Sequence, residues 1–177
     1  MKKFLFALPL LVAASFANAN SVVYVSGGLG AGGLSSDNTN VGAHATFGTN
    51  ALVPNVGFEV AFRGTAAGKM EDEDNKQPDD YLGATGSFIL AAKPYYMAGP
   101  FQFWGKVGLN SWNAEYKSGA DKDQNSTRKS SGTDFMYGVG MDVFMGQTFA
   151  LGVSYDNYTF DKVNADSINL NLSLHFG

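Results

Sequence analysis

The sequence has no cysteine among its 177 residues and only two histidines, with 12 Lys plus Arg set against 16 Asp plus Glu. Without cysteine there is no disulfide framework, no thiol nucleophile and no cysteine-based zinc or iron–sulfur site. A net charge of −4 with no stripe of Lys and Arg argues against a nucleic-acid binder. Charged residues reach only 16%, well under the ~25% typical of soluble domains. Beyond the first twenty residues no apolar run approaches the ~20 that a membrane helix needs, so a mature helical membrane protein is excluded. What is present instead is aromatic content of 14% and 22 glycines, in a length that suits one domain.

The start of the chain reads as an address. Met1-Lys2-Lys3 is cationic, Phe4 to Phe16 is apolar, and Ala17-Asn18-Ala19 has the small-x-small form of a signal-peptidase site. Residues 1–19 are therefore expected to be a signal peptide cleaved after Ala19, and loss of Lys2 and Lys3 takes the net charge from −4 to −6. The twin-lysine start points to a bacterial product bound for the periplasm or beyond. An acylated-cysteine anchor is excluded by composition.

Residues 20–177 alternate with period two. In the last segment Ile168, Leu170, Leu172, Leu174 and Phe176 are apolar, while Ser167, Asn169, Asn171, Ser173 and His175 between them are polar. Side chains on a strand alternate faces, so one face is oily and the other polar. The same holds for Phe135, Tyr137, Val139, Met141, Val143 and Met145 against Asp134, Met136, Gly138, Gly140, Asp142 and Phe144. It recurs in Phe149–Tyr155 (numbers 149, 151, 153, 155), in Val56, Phe58, Val60 and Phe62, and in Phe101, Phe103, Val107 and Leu109, with Trp104 an aromatic on the polar side. Weaker patterns near 21–34, 41–49 and 81–96 bring the total to eight strands with no helical segment among them.

Connections alternate as well. Residues 50–55, 97–100 and 146–148 are short and rich in Gly, Pro or Asn, as tight turns should be. The intervening loops, 35–40, 65–80, 117–133 and 161–166, are more polar and mostly longer. The pattern predicts an all-β fold, an eight-stranded antiparallel up-and-down barrel. Its polar face holds Gly, Ser, Asn and Ala rather than the Lys, Glu and Thr of a water-facing strand, which suits a filled interior. Its oily face carries bulky aliphatics with rings near strand ends (Phe101, Tyr137, Trp112, Phe149, Phe176), as in the girdles of transmembrane barrels. In lipid such a sheet must close, because every backbone donor needs a partner. The competing arrangement is a soluble carrier barrel with the oily face lining a cavity.

These features resemble the small outer-membrane β-barrels, namely the OmpA-like transmembrane domain and the related opacity and Ail-type proteins. The stretch Phe101-Gln102-Phe103-Trp104-Gly105-Lys106-Val107-Gly108-Leu109 is most similar to the family's central strand, and Phe176, followed by Gly177, stands where the family has its closing aromatic. The resemblance implies residence in the bacterial outer membrane among its lipids and lipopolysaccharide, with the last strand read by the barrel-assembly machinery. It extends to the barrel of OmpA and not to that protein's peptidoglycan-binding domain, so no peptidoglycan role is expected.

Six charges fall on the polar face: Glu59, Arg63, Lys93, Lys106, Asp142 and Asp156. Desolvated charges are costly unless paired. Counting from the short turns predicts Glu59 with Lys93, Lys106 with Asp142, and Arg63 with Asp156. This reads as a rigidifying interior network, with a gated ion conduit as the alternative. Some barrels of this size modify lipid A through a His–Ser–acid set, but no such set surrounds His44, and His175 falls at the periplasmic end. Each is expected to be an interior, hydrogen-bonded histidine, and neither an enzyme nor a cofactor or metal site is expected. Specificity then falls to the loops. Residues 65–80 carry six acids and two bases, Glu71, Asp72, Glu73 and Asp74 among them, without an EF-hand's glycine. Residues 117–133 are net +2, with Lys122, Arg128 and Lys129 available to lipopolysaccharide phosphates or host surface molecules. The expectation is a monomeric surface protein that binds through these two loops.

Overall fold

The computed structural model describes residues 23–34, 38–69, 80–118, 127–160 and 163–177. Eight antiparallel strands close on themselves in chain order: β1 (Val23–Leu34), β2 (Asn38–Val53), β3 (Val56–Lys69), β4 (Asp80–Ala98), β5 (Phe101–Ser118), β6 (Thr127–Met145), β7 (Phe149–Phe160) and β8 (Val163–Phe176). Residues 1–19, expected to be a signal peptide, lie outside the described residues. Three short turns join β2 to β3, β4 to β5 and β6 to β7. Asn55, Gly99 and Gly146 hold φ of 59°, 61° and 82° there, the left-handed conformation that Gly and Asn enter at least cost.

Which face looks outward is settled by β8. Ile168, Leu170 and Leu172 are 68%, 57% and 52% exposed, whereas Asn169, Asn171 and Ser173 are buried. The oily face is thus the outer one, and the carrier arrangement is excluded. Eight strands enclose an interior that side chains can fill, and here the buried polar face fills it. A walk perpendicular to the strands from Val23 through Thr49, Phe58, Ala92, Val107, Tyr137, Asn157 and Asp166 comes back to β1 at Gly33, ten residues up. A stagger of that size tilts the strands by roughly 40°.

Three expectations need correction. The strands run past their predicted ends, so the loops are shorter than the polar segments: β5 extends to Ser118 and β6 begins at Thr127. Pairing between antiparallel neighbours does not depend on apolar alternation, so it continues through polar residues once the hairpin has left the lipid. Trp112, placed in the outer girdle above, is instead an interior residue at 2% exposure. The interior is also less uniformly polar than expected. Near the loop end Ile89, Trp112, Ala114, Met136, Tyr158 and Ala165 form an apolar cluster, with the charged groups below it.

Candidate functional site

The interior charges form one chain of contacts. Lys93 on β4 lies 3.3 Å from Glu59 on β3 and 3.4 Å from Asp142 on β6. Lys106 on β5 lies 3.2 Å from Asp156 on β7 and 3.8 Å from Glu59. The order is therefore Asp142–Lys93–Glu59–Lys106–Asp156, three acids bridged by two bases. Further donors complete the carboxylates. The Tyr24 hydroxyl donates to Glu59 at 2.6 Å and the Trp104 indole N–H donates to Asp142 at 2.9 Å. The Asn169 amide donates to Asp156 at 2.9 Å. Lys93 Nζ also sits 4.4 Å from the Trp104 ring centre and 5.1 Å from that of Tyr24, so its charge faces two π-surfaces as well as two carboxylates.

Of the expected pairs, Glu59–Lys93 forms and the other two do not. Lys106 stands opposite Gly138, four residues from Asp142 along β6, or roughly 13 Å at strand rise. Counting from the turns ignored the stagger, which lifts each perpendicular row as it passes around the barrel and sets Lys106 level with β7's Asp156 instead. Arg63 contacts no carboxylate among the described residues. Its guanidinium donates to the Tyr158 hydroxyl at 2.9 Å, stacks over that ring at 4.4 Å, and donates to Asn169 Oδ1 at 3.5 Å. Asn169 relays it to Asp156.

Tyr24 went unremarked in the sequence reading and Trp112 was placed on the outer face, while Trp104 was already on the polar side. Tyr24, Trp104 and Trp112 lie over Gly48, Gly140 and Gly132, their direct cross-strand partners, so that each ring occupies the space a β-carbon would fill. A glycine opposite an aromatic was the available signal. Trp112 further donates to Asp134 at 2.6 Å. The histidines are interior but neither side chain makes a hydrogen bond among the described residues, contrary to expectation. His175 is held by rings instead, stacked 5.1 Å from Tyr24 and tilted 4.8 Å from Phe144 at the turn end of the barrel. His44 stands on β2 opposite Gly28 and Arg63. Among the described residues no three His, Asp or Glu gather as a metal site.

Of the loop residues, Glu71, Asp72, Glu73, Asp74 and Lys122 lie outside the described residues. Arg128 and Lys129 belong to β6, opposite Tyr116 and Glu115. Lys129 is exposed and pairs with Glu115 at 3.0 Å. Strands β4, β5 and β6, of 19, 18 and 19 residues, outrun β7 and β1 with 12 each, so one wall of the barrel stands higher at the loop end.

A closed barrel with oily side chains outside and paired charges inside defines an integral outer-membrane β-barrel protein. The chain matches the outer membrane protein beta-barrel domain over residues 4–176 and belongs to that family. No curated protein matches the sequence. Among solved structures it is similar to Ail, the attachment invasion locus protein of Yersinia pestis, crystallised with the heparin analogue sucrose octasulfate (15% identity, 88% of this chain and 97% of that one, TM-score 0.58). It is likewise similar to Neisserial surface protein A (12% identity, 87% and 96% covered, TM-score 0.62) and to OprG from Pseudomonas aeruginosa (13%, 88% and 96%, TM-score 0.56). At these identities the likeness is one of fold. Residence in the bacterial outer membrane follows from the family.

Proposed function

We propose that this protein is a surface-exposed interaction protein of the outer membrane, delivered by cleavage after Ala19 and inserted by the barrel-assembly machinery through β8. It binds host molecules or envelope components through residues 65–80 and 117–133. The observation that carries this reading is the division of labour in the barrel. Lys93, Lys106, Glu59, Asp142 and Asp156 are spent on one another inside, while β4, β5 and β6 outrun β1 and β7 and carry Lys117, Arg128 and Lys129 at the loop end. Ail, which shares the fold, was crystallised with a sulfated heparin analogue, and Lys117, Lys122, Arg128 and Lys129 suit ligands of that charge, lipopolysaccharide phosphates included. Deleting residues 70–79 or 119–126 separately should leave a barrel that migrates anomalously on gels until boiled, yet lose adhesion to host cells or serum survival. Full adhesion by both deletions overturns the reading. Ion conduction and lipid A modification are the competing functions. Planar-bilayer recording tests the first, and lipid A mass spectrometry of His44→Ala tests the second.

A further inference from the structure

The ladder between β4 and β5 is interrupted inside the apolar band. Ala92 pairs with Val107 and Tyr95 with Trp104 in one register, but Lys93–Lys106 and Pro94–Gly105 between them form no pair. Proline is the cause. The Tyr95 N–H donates to the Asn55 carbonyl at 2.9 Å, so Tyr95 turns its backbone groups towards β3. By alternation Pro94 turns its own towards β5. Pro94 has no N–H, and the Gly105 carbonyl therefore loses its ladder donor. Proline is ordinarily confined to sheet edges for this reason, yet β4 has a neighbour on each side.

The freed carbonyl lies in a notch on the outer face. Gly105 shares that face with Phe103 and Val107, each 47% exposed, and Pro94 opposite it is exposed too. A β-carbon built on Gly105 would meet nothing nearer than 4.0 Å. Tyr96, 71% exposed, and its cross-strand partner Phe103 form the rim towards the turn. Each ring stands two residues from the gap, or about 5 Å along the membrane normal for strands tilted ~40°. Such rings mark the membrane–water interface, and the short turns are periplasmic. The notch thus opens at the depth of the periplasmic leaflet's headgroups and glycerol. An orphan carbonyl is costly in hydrocarbon, and here a lipid can reach it with a donor. No charged residue shares the outer face in 90–98 or 101–109. A carbonyl oxygen and two π-surfaces present negative potential, which suits a cation and not an anion.

We propose that the Pro94–Gly105 notch binds a periplasmic-leaflet phospholipid whose headgroup is an ammonium bearing N–H. The ammonium donates to the Gly105 carbonyl and faces the Tyr96 and Phe103 rings. The site lies at the opposite end of the barrel from the loops and does not depend on what they bind.

The test uses the folded chain in phosphatidylcholine nanodiscs, with phosphatidylethanolamine titrated in. The Gly105 carbonyl-carbon and Lys106 amide resonances should shift and saturate. Native mass spectrometry should retain the ethanolamine lipid about fivefold over the choline lipid. Headgroups with one or two N-methyl groups keep a donor and should still be retained, whereas fully methylated choline should not. Pro94→Val returns the missing donor to the ladder, and Gly105→Val covers the notch. Whichever stays heat-modifiable should lose the preference. Should neither fold, the methyl series decides by itself. Equal retention of ethanolamine and choline lipids with Gly105 unmoved leaves only a hydrated carbonyl and overturns the proposal. So does a preference that survives in a heat-modifiable variant, or one for phosphatidylglycerol, whose donor is a hydroxyl. Efficient disulfide dimerisation of Ala92→Cys overturns it as well, by giving the notch to a second copy of the chain.

Discussion

At Lys93 a single ammonium group meets two carboxylates and two aromatic faces, all from different strands. Replacing it with Met leaves Glu59 and Asp142 buried with only Lys106, 3.8 Å from Glu59, as a nearby cation. Breaking a buried pair from one side generally costs ~3–5 kcal/mol. Lys93→Met is expected in that range and Lys106→Met somewhat below it, because Glu59 then keeps Lys93 at 3.3 Å and Asp156 keeps the Asn169 amide. Denaturant titration of barrels folded into lipid vesicles measures both, and unchanged midpoints would count against the network as a stabilising device. Glycines separate just as sharply. A β-carbon on Gly108 runs into the Leu90 carbonyl and the Ala91 backbone, whereas one on Gly64 meets nothing within 4 Å. Gly108→Ala should lose about 1–3 kcal/mol or more through overpacking, and Gly64→Ala should change stability by under ~0.5 kcal/mol. The six interior charges were legible as inward-facing from parity alone. Trp112 was legible too, since it shares its parity with Trp104 and Asn110, but its ring drew it to the girdle in the sequence reading.

Within a strand, depth decides what a substitution costs. Leu172 lies on the lipid face of β8, 52% exposed and paired with Gly27 and Leu151, while Ser131 on β6 stands beyond the apolar band. Leu172→Arg is expected to destabilise the folded barrel by ~2–4 kcal/mol and Ser131→Arg by no more than ~1 kcal/mol. The fraction migrating as folded after vesicle insertion reads out both, and equal costs would contradict the assigned membrane position. Strand ends were the least legible feature. In the lipid, alternation reports pairing because the outer face must be oily. Above it, residues 110–117 and 127–134 pair equally well with no apolar requirement, so composition cannot mark where β5 and β6 stop.

For the barrel as a unit, the ten-residue stagger and the filled interior set what can pass. The Tyr24–His175–Phe144 stack stands at the turn end, the charge chain occupies the middle, and the Trp112–Met136–Tyr158 cluster lies towards the loops. The folded protein should show no sustained conductance in planar bilayers at moderate voltage. Lys93→Ala, which removes the link between Glu59 and Asp142, should be the variant that first admits brief openings. Stable channels in the unaltered protein would favour the conduit function instead. The apolar outer belt should also hold the protein in detergent or lipid and precipitate it on dilution into buffer.

Eight alternating segments, short turns that alternate with polar loops, and a polar face too small to be a water-facing surface were sufficient to determine a lipid-embedded barrel, because those patterns depend only on strand periodicity and on what hydrocarbon tolerates. Which interior charge meets which was decided by tertiary structure. The stagger brings Lys106 to Asp156 and Glu59, and Arg63 to Tyr158, and no local pattern encodes that height.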